Sequence, residues 1–136
     1  MSRTKSTKVV LDASAGDAVG EVIACTDAHA LALFVGFKIV ASAADLLSTV
    51  TFVGNVEDDG AYASWPAIAD GELVSVSADE ALTYAAATGE LDTAAGLALG
   101  TYRGVIRFVN PPPYVVPIFD YTSGGGTYSV VLKASY

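Results

Sequence analysis

Two side chains could begin nucleophilic or acid–base chemistry: Cys25, the only cysteine, and His29, the only histidine, four positions on in CTDAH. On a helix that spacing would bring both to one face. In a strand-rich chain it does not, and a Ser-His-Asp or Cys-His device would hang on a single imidazole. The expected reading is a turn histidine and a buried thiol, because free cysteine packs as a small hydrophobe. One cysteine also rules out an internal disulfide, and the lack of further His or Cys leaves a structural zinc ion without a ligand set.

Carboxylates offer a second kind of chemistry. Glu57, Asp58 and Asp59 precede Gly60, and hard cations favour clustered carboxylates on a turn. The EF-hand spacing D-x-D-x-D-G and a distal bidentate Glu are both missing, so a solvated turn tip is expected. Asp79 with Glu80, or Glu90 with Asp92, has the composition of a glycosidase pair, but sequence does not set the carboxylate separation that such a pair requires. The run Gly124–Gly126 lacks a following Lys-Ser/Thr and a strand-to-helix context. It reads as a flexible hairpin tip rather than a phosphate loop. No catalytic, cofactor-binding or metal residue is assigned, and the chain is not expected to be an enzyme.

Binding is the remaining class. Trp65 and seven tyrosines, Tyr62 and Tyr136 among them, could form a sugar-stacking platform. Tyrosine is equally at home in strands and at subunit interfaces, where the ring packs and the hydroxyl finds a partner, and core or interface is the favoured reading. Charge is divided along the chain: Arg3, Lys5 and Lys8 occupy positions 1–8 with no anion, while ten acidic residues and no Lys or Arg lie between Val40 and Tyr102. The net charge of −8 argues against nucleic acid, whose phosphates call for a basic face.

The elements that must position these residues read as strands. An apolar fraction of 52% with 16% charged residues exceeds the usual soluble composition, so apolar surface is expected to meet other subunits. At 136 residues one domain suffices, and folding at that size removes about two-thirds of the unfolded chain's surface from water. No apolar run reaches the roughly 18 residues that a membrane helix needs, and the first residues lack the apolar core of a secretory signal. Synthesis and assembly in a cytoplasm are expected.

The division expected is an extended basic arm over 1–8 and one β-sandwich domain over 9–136. KVVLD and GEVIACT are strand candidates, and in LALFVGFKIVA the residues Leu31, Leu33, Val35, Phe37 and Ile39 share one face at period two. Ser42–Leu47 could form one helical turn capped by Ser42. TVTFVGNVE then turns at EDDGA into the partner strand AYASWPAI, a hairpin weakened at Pro66. LVSVS is another strand, and Asp79–Ala87 reads either as a short helix stopped by Gly89 or as a long loop. YRGVIRFVN, YVVPIFDY and TYSVVLKASY, joined by PPP and SGGG, read as three strands in antiparallel succession. Short strands with at most one helix indicate an all-β chain, an antiparallel sandwich or jelly roll.

The order TVTFVGNVEDDGAYASWPA, GTYRGVIRFV and YTSGGGTYSVVLKAS resembles a pattern in small virion structural proteins of tailed bacteriophages, across roughly Leu47 to Tyr136. Trp65 matches that pattern's hairpin tryptophan, and Gly100, Tyr102 and Arg103 match its G-x-Y-R strand. The PPP at 111–113 and the Ala-rich stretch before Gly100 depart from it. The resemblance implies a decoration or cement protein on the capsid, binding the major capsid protein and located in the virion, with tail or fibre attachment as the next choice. It also implies homo-oligomers, with trimers suited to local threefold points of an icosahedral shell. Arg3, Lys5, Lys8, Tyr62, Trp65 and Tyr136 are the expected partner-binding residues. A carbohydrate-binding or host-adhesion module on the same sandwich is the alternative.

Overall fold

The structure, a computed structural model, describes residues 7–25, 32–69, 71–76, 83–85, 89–92 and 97–135. Among these described residues eleven strands follow one another: β1 (Thr7–Ala13), β2 (Ala18–Val19), β3 (Ile23–Ala24), β4 (Ala32–Ala41), β5 (Leu47–Asn55), β6 (Glu72–Val76), β7 (Thr83–Ala85), β8 (Glu90–Asp92), β9 (Gly100–Val109), β10 (Tyr114–Ser123) and β11 (Tyr128–Ser135). They form two antiparallel sheets, β1-β11-β4-β9-β6 and β2-β10-β5-β8-β7, with β3 beside β2 on the same edge of β10. The chain is an all-β sandwich.

Period two sets the inner faces. Leu33, Val35, Phe37, Ile39 and Ala41 of β4 are buried, and so are Tyr128, Val130, Leu132 and Ala134 of β11. From the opposite sheet come Val50 and Phe52 of β5 and Val115 and Phe119 of β10, all in one apolar cluster with the first set. Phe52 and Phe108 meet across the sandwich with ring centroids 5.2 Å apart. Alternation is what lets a strand bury one row of side chains while its other row faces outward.

Pairing is nested. β4 pairs β11, β5 pairs β10, β6 pairs β9 and β7 pairs β8, alternating between the sheets. The topology is that of one long hairpin rolled up so that β4 also meets β9 and β5 also meets β8. The expectation of three C-terminal strands in antiparallel succession is thereby corrected. β9 and β11 flank β4 in one sheet, and β10 lies in the other. The turns at PPP and SGGG cross between sheets instead of closing hairpins.

The SGGG crossover is packed rather than a free tip. It runs beside the β4–β5 connection, with Ala43 N–H donating to Gly125 O (3.0 Å), Gly125 N–H to Ala44 O (3.1 Å) and Ser42 N–H to Thr127 O (3.1 Å). Gly124, Gly125 and Gly126 all have left-handed φ, at +77°, +80° and +62°. A Cβ on Gly124 would lie 1.9 Å from the Asp45 carbonyl oxygen, so two conditions at once demand glycine there.

Two further expectations change. Ser42–Leu47 forms bends and not a helical turn: Asp45 takes φ +65°, which breaks helical continuity, and Leu46 bridges Leu97. Thr83–Ala85, inside the stretch 79–87 read as helix or loop, is strand β7 against β8, while 79–82 and 86–87 lie outside the described residues. Among the described residues the sole helical element is a 3-10 turn at Tyr62–Ser64.

The sheet edges that carry β1 and β2 are tied together. β1 is bulged at Val10, whose carbonyl accepts from Glu21 N–H at 2.7 Å. Gly20 N–H donates to Pro117 O at 2.8 Å, and a Cβ on Gly20 would stand 2.5 Å from the Val10 oxygen. Among the described residues of GEVIACT, strand is found at Ile23–Ala24, because the residues before it turn to bridge the sheets; Thr26 lies outside the described residues. Bulges and covered edges of this kind leave no flat ladder for indiscriminate pairing.

Candidate interaction surface

β10 is apolar on both faces over Tyr114–Phe119 and β5 joins it at Val53, and that places the site. Val50 and Phe52 point into the core, whereas Val53 points outward beside Val116 of β10. An outward Val–Val pair at the centre of a sheet needs a cover, and the chain after Asn55 supplies it. The segment 56–66 folds back so that Trp65, 5% exposed, closes a small second cluster with Val53 and Val116, flanked by Val22, Tyr62, Tyr114 and Ile118. Gly54 N–H donates to Pro66 O (3.0 Å), and Ile68 N–H to Phe52 O (2.8 Å). This replaces the expected EDDGA hairpin. No strand follows the turn, since the returning chain rides over the sheet face and touches β5 through isolated bonds and one bridge, Val53 to Ala67.

The covering loop is braced by its own acids. Asp59 Oδ1 accepts from the Trp65 indole Nε1–H at 2.8 Å and from Ala61 N–H at 2.9 Å. These two donors, the indole first, hold the Asp59 carboxyl below its ordinary value of 3.8. Tyr62 stands edge-on to Trp65 (centroids 5.0 Å, 85°) and donates its hydroxyl proton to Asp58 Oδ1 at 3.3 Å. Partial burial, followed by the negative charge of Asp58, pushes the Tyr62 hydroxyl above 10.0. One oxygen of each of these carboxylates, which were candidates for a cation, is thus engaged: Asp58 Oδ1 with Tyr62, and Asp59 Oδ1 with Trp65 and Ala61. Among the described residues no three His, Cys, Asp or Glu side chains converge on a common point.

Beside this loop lies an exposed apolar surface. A depression of about 240 Å³ is lined by Val9–Asp12 and Ala18–Glu21, and a second of about 350 Å³ by Gly60–Ser64. Val19 lines both and is 59% exposed, with Val9 at 44%. Two carboxylates, Asp12 and Glu21, line the first depression, whereas Asp17 Oδ1 accepts from Tyr121 N–H at 2.8 Å and Asp58 and Asp59 are engaged within the covering loop. Lys8 reaches Glu21 at 3.7 Å with both side chains largely in solvent, a pair of small energetic weight.

Of the residues expected to bind partners, Lys8, Tyr62 and Trp65 fall within the described chain, while Arg3, Lys5 and Tyr136 lie outside it, as does His29. The structure brings Tyr62 and Trp65 together, with Trp65 holding the loop from below and Tyr62 half-buried at its surface. Lys8 sits on the neighbouring β1–β2 corner. Cys25 is buried, which pushes its thiol up to about 11 and keeps it neutral near pH 7. Glu90 and Asp92 flank Leu91 on β8, opposite Thr51 and Thr49.

Val9 escaped sequence reasoning as one more strand valine, and Val19 because ASAGDAVG reads as a turn where the structure has β2. The signal for the covered outer face was present in the unbroken apolar run YVVPIF of β10, the pattern of a strand buried on both sides. Searches of family models, of curated proteins and of solved structures give no match to this chain.

Proposed function

We propose that this chain is a non-enzymatic structural protein that holds neighbouring protein subunits together, and that the assembly is a tailed-phage head, which it decorates or cements. The observation that carries the first half is the Val9–Val19–Tyr62 surface: apolar, partly exposed, with Val9 on β1, Val19 on β2 and Tyr62 on a loop fixed by Trp65 and Asp59. A rigid apolar surface with a polar rim suits association with another protein, because little ordering entropy is lost on contact. The phage assignment rests on the strand and turn motifs from Leu47 onward, and trimers at threefold lattice points follow from that resemblance.

The test is stoichiometry. In purified particles a decorating protein appears in lattice proportion to the major shell protein, and added protein rebinds stripped shells. A few copies per particle would move the assignment to tail or fibre attachment, and no copies would end it. The carbohydrate-binding reading draws on one feature, the half-buried Tyr62 ring beside the Asp58 carboxylate. A glycan array without hits removes it.

A further inference from the structure

We propose that the sandwich stacks on a second copy of itself, the cationic outer face of the first sheet seating the acidic outer face of the other copy's second sheet. The inference goes beyond the function proposed above and does not depend on the identity of the assembly.

Charge is sorted by sheet. Among the described residues every lysine and arginine, namely Lys8, Lys38, Arg103, Arg107 and Lys133, stands in a strand of the first sheet, and the strands of the second hold none. In the first sheet the central strands β11, β4 and β9 carry only cations, while its two strand acids, Asp12 and Glu72, lie on the edge strands β1 and β6. The inward rows of β4, β9 and β11 are the buried ones, so Lys38, Arg103, Arg107 and Lys133 project from the outer face. The second sheet presents Glu90, Asp92 and Asp120 outward, with Asp92 and Asp120 on either side of Thr49.

The single molecule does not compensate this sorting. Lys38 stands directly opposite Arg103, a like-charge pair that weakens a sheet. Arg107 meets Glu72 at the sheet edge, but among the described residues no carboxylate pairs with Lys38 or Lys133. Gly36 is an independent sign. It lies mid-strand in β4 between Lys133 and Val105, and a Cβ built on it would meet nothing nearer than 3.8 Å. The chain's own packing does not call for glycine there, whereas close approach by another backbone does. Phe34, Val40, Val105 and Val131, half-buried on the same face, add apolar area.

Size and charge fit a second copy. Five strands about 4.8 Å apart, the longest of them about 33 Å, make a face of roughly 700 Å², near the roughly 800 Å² that each partner buries in a specific complex. The segment 56–66 covers the second sheet at Val53 and Val116, leaving the Thr49 row with its acids further along β5. The two faces lie on opposite sides of one sandwich, so the contact is head-to-tail and its repetition builds a line of copies, separate from any ring. Opposite potentials across it set the orientation.

The experiment is charge exchange in the full-length protein, read by sedimentation equilibrium at about 0.15 M salt. One variant carries Lys38→Glu with Lys133→Glu, the other Glu90→Lys with Asp120→Lys. Wild type should self-associate, and the association constant should fall by about tenfold or more in either variant alone. An equimolar mixture of the two should recover it, because each reversed face then meets its complement. Urea midpoints read folding apart from the contact, and the Lys38 variant should be no less stable than wild type, since it loses the Lys38–Arg103 repulsion. Wild type that stays monomeric to about 1 mM, association that survives either reversal, or a mixture that fails to recover would each overturn the proposal. Monomeric wild type that binds polyglutamate or duplex DNA through Lys38 would also overturn it, giving the face to a foreign polyanion. Particle stoichiometry tests membership of the virion separately, so either result can fail alone.

Discussion

Replacing Gly124 by alanine should cost far more than the same change at Gly16, although both glycines sit at nearly the same backbone angle. Gly16 has φ +78° with nothing within 4 Å of a built Cβ, whereas Gly124 has φ +77° with the Asp45 carbonyl oxygen at 1.9 Å. The left-handed conformation alone costs an L-residue about 1–2 kcal/mol, and this is the whole penalty expected at Gly16. At Gly124 the obstacle is backbone, so no side-chain rotation relieves it. The crossover must move away from Ala43 and Ala44, straining two hydrogen bonds near 3 Å and the seat of buried Leu46. Overpacking of that kind adds about 1–3 kcal/mol, for a total of about 2–5 kcal/mol. Against a typical domain stability of about 5–15 kcal/mol that is a large loss. Urea unfolding followed by Trp65 fluorescence reads both variants on one scale, with an unchanged slope certifying the comparison. Equal midpoints for the two variants would refute the reasoning and restore Gly124–Gly126 as a free tip.

Other expectations concern the loop, the thiol and the core. Asp59 has a folded pKa below its unfolded value, so the stabilisation it gives the loop is present above the ordinary value of 3.8 and is lost as pH falls through the folded value. An acid-side change in Trp65 emission that Asp59→Asn abolishes is expected, and an identical titration in the variant would contradict the brace. Cys25, with its thiol pushed up to about 11 by burial, should resist alkylation at pH 8 until denaturant is added; rapid labelling of folded protein would show the site open. Phe52→Ala removes a fully buried ring of the main core and should lower global stability by about 3–5 kcal/mol in urea. Trp65→Ala should instead speed hydrogen exchange chiefly over 56–68, and a uniform rise across both sheets would merge the two clusters into one.

What the sequence made legible was local. Period-two alternation placed β4 and β11 nearly to the residue, and the Val, Ile and Phe content of β9 and β10 marked them as strands. Partnering was not legible, because turn chemistry reports where a chain bends and not which sheet it enters next. PPP and SGGG look like hairpin closures yet carry the chain across the sandwich. At the candidate surface Tyr62 and Trp65 stood out by type, but the DDG sequence suggested a returning strand. Pro66 and the outward Val53 favoured a cover instead, since Pro contributes no N–H to a ladder and shielding Val53 beside Val116 removes apolar surface from water. Val19 carried no signal of its own, for its exposure follows from the bulge at Val10 and the turn at Gly20, both tertiary outcomes.

The place of β11 in the first sheet has a consequence for the growing chain. β11, the last of the described strands, lies between β1 and β4, so both of those strands hold an open ladder until it arrives. A ribosome-bound or clipped copy lacking that strand would expose two unsatisfied rows of amides and carbonyls at once, an invitation to stick to whatever extended chain is near. Completion of this sandwich is therefore a single late event, and proteolytic trimming at the C-terminal end should yield insoluble material in place of a smaller folded fragment.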